Sequence, residues 1–453
     1  MGQPSFMDYD VLIIGGGPAG AIAALELSRG GAKVLVIERT RFPRFHVGES
    51  FLPKCLDLIR SLGLEPALRR LPHMVKLGAE FGIGNSLETT RFPFSLGLDG
   101  GRNETFNIER AAFDKMLLDS AREAGAEVIE DSSVRSVLRL SDGDVAINVD
   151  GRELTGRYLV DASGQAAVVG KHLGTHKVFA HHRKVAYFGH FHNVKRLDGD
   201  EEGYPTVAIC DEGWFWLIPI DPQRTSIGLV MDADAAKRVG IPAPQMLAWG
   251  IARCPLVADR TLNARCPETN HVAADFSYTC RPYAGPGYFL VGDASLFLDP
   301  IFSTGICLGM VAAEEAAKLI GKLLREEIRP SAARRRHDRV VRAGSNVFFK
   351  FIDYYYQHSF RELFLHGQGP AQVHRAIISV LAGHVFPKLR FGLRWRLKLF
   401  DWMVRWHRRR PLVANRERFS LLAQNVEPDC DREAWSAGAS FESSCGAEAE
   451  VLR

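Results

Sequence analysis

The sequence predicts a mixed α/β fold. A doubly wound parallel unit is interleaved with an antiparallel β-sheet domain, and a helical extension completes the chain. Three observations predict it. A strand, a glycine-rich turn, a helix and a second strand ending in an acid follow one another between Tyr9 and Glu38. The region from about 176 to 275 reads as strands, with clear alternation from Lys184 to Val194. Beyond Gly321, aromatic and basic residues recur at helical spacing. At 453 residues the chain exceeds the ~250–300 residues of one core, so more than one domain is expected.

The N-terminal unit comes first. Tyr9 to Ile14 reads as a buried strand and runs into Gly15-Gly16-Gly17-Pro18-Ala19-Gly20. Ala21 to Arg29 reads as a helix, Gly30-Gly31 breaks it, and Val34 to Ile37 is a second strand with Glu38 at its end. This order is the Rossmann-like Gly-x-Gly-x-x-Gly fingerprint. Gly15 permits the tight turn, Gly17 lets the backbone approach a pyrophosphate, and Gly20 lets helix and strand pack closely. Phosphates sit on the free N–H groups of the helix start. Glu38 is placed to accept from ribose hydroxyls and disfavours a 2′-phosphate. The unit alone does not choose between FAD and NAD.

Composition narrows the class. Hydrophobic content of 46%, charged content of 24% and a net charge of +4 describe an ordinary globular protein, with no call for nucleic acid. None of the eight cysteines forms a CxxC pair, so no zinc site is expected, and the thiols read as buried, reduced and cytoplasmic. His176, His181, His182, His190 and His192 lack ligand spacing, so no metal is expected there either. No signal-type run and no apolar stretch of ~18 residues is visible.

Three later segments choose the cofactor. Arg110-x-x-Phe113-Asp114-x-x-Leu117 stands at a helix start, Leu159 to Gly164 reads Leu-Val-Asp-Ala-Ser-Gly, and Tyr288 to Ala294 is a strand ending in Gly-Asp-Ala. In this order they resemble the p-hydroxybenzoate-hydroxylase-like superfamily of FAD-dependent monooxygenases, over Asp8 to Leu319. The resemblance implies that Arg110 faces the flavin, that Asp293 bonds the ribityl chain and that Asp161 belongs to the cofactor site. No second glycine fingerprint marks a nicotinamide domain.

Two further motifs are diagnostic. Trp214-Phe215-Trp216-Leu217-Ile218-Pro219 matches Trp-x-Trp-x-Ile-Pro, and Phe297 to Gly305 matches Phe-x-x-Pro-x-x-Ser-x-Gly. With Arg44-Phe45-His46-Val47-Gly48-Glu49-Ser50 and Lys76, they resemble the flavin-dependent halogenases of the phenol and pyrrole branch. The resemblance implies an FADH2- and O2-dependent enzyme that oxidises chloride or bromide to hypohalous acid and halogenates an electron-rich aromatic, free or carrier-tethered. FADH2 would come from a separate flavin reductase. Gly15, Gly17, Ala19, Gly20, Glu38, Arg44, Gly48, Glu49, Ser50, Arg110, Asp161, Asp293, Pro300 and Gly305 form the expected cofactor site. Ser303, Thr304 and Gly305 would hold halide on backbone N–H groups. Lys76 would receive hypohalous acid, and Trp214, Trp216 and Pro219 would wall the substrate from the flavin. Phe302 stands where the tryptophan-acting branch carries a glutamate, so no base for an indole is expected there.

Plainer readings stay open beside these. The tryptophans alternate at strand spacing and also suit a core face. Lys54 rivals Lys76, His46 suits a hydrogen-bonded loop, Glu49 suits a helix cap, and Asp299 suits a turn cap. A hydroxylating monooxygenase using NAD(P)H, a prenyl or polyene reductase of the same superfamily, and a flavin-binding protein without turnover are the competing functions.

The expected domains are 8–80, 101–175 and 276–325 for FAD binding, 81–100 and 176–275 for the substrate-side sheet, 326–423 for the helical extension, and 424–453 for a disordered tail. Phe348, Phe349, Phe351, Tyr354, Tyr355, Tyr356, Phe360 and Phe364 suit either packing on the main body or lining a substrate. Arg394 to Arg410 carries seven basic residues and one acid beside two apolar stripes. It reads as a docked helix with snorkelling arginines, or as contact to an acidic carrier or a membrane surface.

Overall fold

The computed structural model describes residues 7–98, 104–266, 270–386 and 389–424; nearly all of the expected tail lies outside them. Two sheets organise the fold. The first takes the order Ala284–Gly285, Tyr288–Leu290, Arg152–Asp161, Tyr9–Ile14, Val34–Ile37, Glu127–Ile129. Tyr288–Leu290 to Glu127–Ile129 pair in parallel. Val34–Ile37 and the Val11 to Ile14 part of its neighbour are apolar at every position, as parallel strands covered on both faces are. Val11, Leu12, Ile13 and Val36 are all fully buried. Helices Pro18–Arg29, Arg110–Glu123 and Gly305–Leu324 pack on this layer.

The second sheet takes the order Leu296–Phe297, His271–Cys280, His176–His192, Arg224–Asp232, Gly213–Pro219, Thr206–Ile209, Gly78–Ile83, Thr89–Pro93. It is antiparallel except where Thr206–Ile209 runs beside Gly78–Ile83. Gly78–Ile83 straddles residue 80, and Leu296–Phe297 joins this sheet from within 276–325. Register sorts its faces by the two-residue period. Trp214 and Trp216 enter the large core shared with the first layer, while Phe215 and Leu217 enter a separate core against Met246–Arg253 and Pro255–Arg260.

Among the described residues, four α-helices follow Gly305–Leu324: Pro330–Tyr355, His358–His366, Val373–Leu381 and Phe391–His407. The aromatic run packs on the body: Phe348, Tyr355, Phe360 and Phe364 have no exposed surface. Among the described residues no helix is long and apolar enough to cross a membrane. Cys55, Cys210, Cys254, Cys266, Cys280 and Cys307 are free thiols.

Candidate active site

The glycine loop has the shape its residues demand. Gly15 adopts φ +98°, and a Cβ there would meet the Ala162 carbonyl oxygen at 2.3 Å. A Cβ on Gly20 would meet the Gly15 oxygen at 1.9 Å, so strand and helix close on each other. Gly17 differs: its Cβ would meet only Arg44 Nη2, at 3.3 Å. That side of the loop is open and basic, a cradle that a side chain would fill. Ala19 packs against Gly292, with Gly309 beside it, bringing two helix N-terminal regions together.

Glu38 is buried, its Oε2 accepting from the Gly16 N–H (2.7 Å) and its Oε1 from the Thr40 N–H (3.0 Å) and hydroxyl (2.8 Å). A carboxylate offers about four acceptor positions, so capacity remains for a ribose. Asp161 is a turn aspartate: it has no exposed surface, and its oxygens accept the N–H groups of Ser163 (3.0 Å) and Val169 (2.7 Å). It holds the Ala162–Val169 turn that meets Gly15, and burial raises its carboxyl pKa against those bonds.

Arg110 and Arg44 converge on Asp114. Arg110 bonds it in bidentate fashion (2.7 and 2.9 Å) and donates to the Val47 carbonyl (3.0 Å). Arg44 Nη1 stands 3.5 Å from the same carboxylate and, though buried, makes no hydrogen bond. Gly48, at φ +108°, would place a Cβ 3.1 Å from Arg110. His46 Nδ1 lies 2.7 Å from the Val47 carbonyl, as a loop histidine would. Asp114 was quoted in the sequence motif without a role; its i,i+4 spacing from Arg110 was the available signal.

The next residues tie this cleft to the second sheet. Glu49 does not cap the following helix, Pro53–Ser61, which has no side-chain cap. It instead meets His190 Nε2 at 2.6 Å in a fully enclosed pair. Lys76 donates to Ser50 Oγ (2.9 Å) and to the Phe51 carbonyl (3.0 Å), above the Phe94 ring. It is 3% exposed, and desolvation brings its pKa down to about 7. Lys54, the rival, is only half-buried on Pro53–Ser61.

The Phe297–Gly305 segment forms a tight turn. Asp299 accepts from the Ile301 N–H (3.1 Å), capping Pro300–Phe302, and also from the Tyr356 hydroxyl. Ser303 is left-handed (φ 54°) and Thr304 right-handed, and the helix Gly305–Leu324 begins directly after. The Ser303 N–H donates to the Pro300 carbonyl (2.9 Å), so the N–H groups at the helix start, Thr304 and Gly305, are the ones placed to meet an anion. Thr304 Oγ1 is buried without a hydrogen bond. A Cβ on Gly305 would lie 3.7 Å from Asp293 Oδ1. Phe302 is closed in by Phe351 and Tyr355 at 6.3 and 5.6 Å.

Trp214 and Trp216 stand side by side, 5.8 Å between rings. Trp216 lies flat on the Gly228 backbone and donates to Ser226 Oγ (3.1 Å); Trp214 donates to the Tyr356 hydroxyl (3.3 Å). Pro219 ends the strand opposite Thr225. Among the described residues, no three His, Cys, Asp or Glu side chains gather as a metal site; the side chains of His181 and His182 lie outside the description.

The open Gly17 cradle, the Arg44 nitrogen without a hydrogen bond and the orphaned Thr304 hydroxyl fit a bound dinucleotide. A family profile described as "FAD binding domain" matches residues 8–347. A flavin-dependent halogenase of Penicillium aethiopicum is 31% identical over 373 residues, covering 76% of this chain and 70% of that protein. A 1H-pyrrole-2-carbonyl-[peptidyl-carrier protein] brominase of Pseudoalteromonas luteoviolacea is 32% identical over 324 residues, covering 70% and 78%. The solved structure of the flavin-dependent brominase Bmp2 superposes with a TM-score of 0.77 at 28% identity, covering 87% of this chain and 99% of that one. The chain belongs to this FAD-binding family and, within it, to the flavin-dependent halogenases.

Proposed function

We propose that the enzyme halogenates an electron-rich aromatic of the phenol or pyrrole type, free or tethered to a carrier protein. One observation carries the substrate class: Phe302, immediately before the Ser303–Thr304 turn, is a ring among rings. No carboxylate stands at that position to take a proton from an indole, and a phenol or pyrrole activates its own ring. The resemblance to a pyrrolyl-carrier brominase supports the tethered form.

FAD, delivered as FADH2 by a flavin reductase, supplies with oxygen the oxidising equivalents that convert halide to hypohalous acid. The protein's part is to bind, orient and separate. Gly15, Gly17, Ala19, Gly20 and Glu38 would hold the pyrophosphate and ribose. Arg44, Gly48, Glu49, Ser50, Arg110, Asp293, Pro300 and Gly305 would surround the rest, and Asp161 would shape the turn beneath. Ser303, Thr304 and Gly305 would hold halide. Lys76 would receive hypohalous acid on a partly neutral amine, which a desolvated lysine offers and an arginine does not. Trp214, Trp216 and Pro219 would keep the aromatic substrate from the flavin.

Turnover with a panel of phenols, pyrroles and indoles, a flavin reductase and bromide tests this. A bromine isotope pattern is expected on phenols or pyrroles and not on indoles; indole bromination at a matching rate would remove the substrate assignment.

Peripheral membrane contact belongs to the same proposal. Phe391–His407 docks through Phe400, Met403 and Val404 while Phe391, Trp402 and Trp406 stay exposed beside its arginines. Sedimentation with anionic vesicles at low salt is expected, weakening with salt because exposed charges are screened beyond ~8 Å at physiological ionic strength. The Arg408, Arg409 and Arg410 to Gln variant should bind several-fold less; no sedimentation of the wild type at low salt would remove membrane contact.

A further inference from the structure

One face of the antiparallel sheet runs from the cofactor cleft to a groove on its other side. On the strand His176–His192, His190, Phe188, Ala186 and Lys184 alternate, opposite Ser226, Gly228, Val230 and Asp232. Trp216 faces Gly228 and Trp214 faces Val230 on the next strand. Residues two apart share a face, so this row extends about 20 Å, at ~3.4 Å per residue, from His190 to Lys184. His190 meets Glu49 at the cleft end. The tryptophans lie between. Beyond them opens a groove of about 890 Å³, lined by Phe179, Lys184, Phe349, Tyr356, Arg361 and Arg418.

One cation of this groove, Arg361, forms no ion pair among the described residues. Arg361 is 9% exposed. Its Nε donates to the Tyr355 carbonyl (2.7 Å) and its Nη1 to the Cys210 carbonyl (3.2 Å). Its guanidinium stands over the Tyr355 and Tyr356 rings at 5.2 and 5.9 Å. These bonds use two of the five N–H donors of a guanidinium. Among the described residues no carboxylate lies within ion-pair distance of it. Lys184, by contrast, is paired with Asp232 and covers the Tyr356 ring at 3.9 Å. The other acids of the groove, Asp211 and Asp353, sit exposed at its rim. A buried cation is ordinarily paired, because leaving water is costly without an anion to meet. The Phe179 and Phe349 rings, 5.2 Å apart, add an aromatic wall.

We propose that this groove binds an anionic group carried by the aromatic substrate, anchored on Arg361, on the far side of the tryptophan pair from the cofactor cleft. The anion is either the carboxylate of a free aromatic acid or the phosphodiester of a carrier's pantetheine arm. Tyr356, bonded to both Trp214 and Asp299, is the floor that links groove and barrier. The proposal rests on the halogenase reading for what bears the anion, and its test uses binding rather than turnover, so the two fail separately.

Calorimetric titration of the FAD-loaded full chain with benzoate, phosphopantetheine and benzamide tests it. Benzoate or phosphopantetheine should bind at least about tenfold more tightly than uncharged benzamide, and Arg361→Gln should remove that advantage. Stronger benzoate binding assigns the free acid; stronger phosphopantetheine binding assigns the carrier arm. Should Arg361→Gln fail to fold, Arg418→Gln at the exposed rim decides instead, with an expected loss of about threefold. Anion affinity equal to that of benzamide, or undiminished in the folded Arg361→Gln protein or its rim substitute, overturns the proposal.

Discussion

Lys76→Ala is expected to abolish halogenated product while leaving FAD content and oxygen consumption intact. Lys76 bonds Ser50 and Phe51 and, among the described residues, pairs with no acid, so its removal leaves the glycine cradle and the Arg110–Asp114 pair untouched. The oxidising equivalents should then appear as free peroxide or hypohalite. Lys76→Arg should not rescue, because a guanidinium stays protonated and offers no free amine. Trp214→Ala or Trp216→Ala should fail differently, by admitting hydroxylation or leakage through the opened wall. Halogenation by Lys76→Ala at the wild-type rate would overturn the assignment.

The same lysine leaves a signature in stability. Its pKa falls from 10.5 to about 7 on folding through desolvation. The unfolded chain therefore binds more protons between those values, and wild-type stability rises with pH across that window. The cost of burying the amine is complete below about pH 7 and fades toward pH 10.5. At ~1.4 kcal/mol per pH unit, the gap to an uncharged Lys76→Met variant should narrow by roughly 4 kcal/mol over that range. Denaturant titrations at several pH values measure it. A gap independent of pH would mean that Lys76 is solvated.

Gly17→Val is expected to lower FAD affinity by about 100-fold or more, equivalent to ~3 kcal/mol. The pyrophosphate needs the space that a Gly17 side chain would enter, and only Arg44 borders it. Because nothing else crowds that position, the variant should fold and purify colourless. Glu38→Ala should weaken binding less, since Glu38 also braces Gly16 and Thr40. A yellow Gly17→Val protein with full FAD content would remove this assignment.

The three motifs of the candidate site were legible because their demands are local. Gly15 must take a positive φ and Gly20 must lack a Cβ whatever surrounds them, and five consecutive elements agree. The Trp214–Trp216 alternation states its own face, because the period of a strand is two. The Ser303–Thr304–Gly305 turn is likewise written in neighbouring residues. Other roles were not legible. Glu49 also suited a helix cap, and only the fold shows it meeting a partner distant in sequence. His190 lies 141 positions from Glu49, and Tyr356 lies 142 from Trp214 and 57 from Asp299. The sequence by itself determined the α/β class, the dinucleotide cradle and the halogenase motifs. Only the tertiary structure decided that Lys76 rather than Lys54 is desolvated, that the C-terminal aromatics close around Phe302, and that among the described residues no acid pairs with the buried Arg361. Sequence spacing fixes geometry within one turn or strand, whereas desolvation and charge pairing depend on which distant surfaces the sheet register and helix packing bring together.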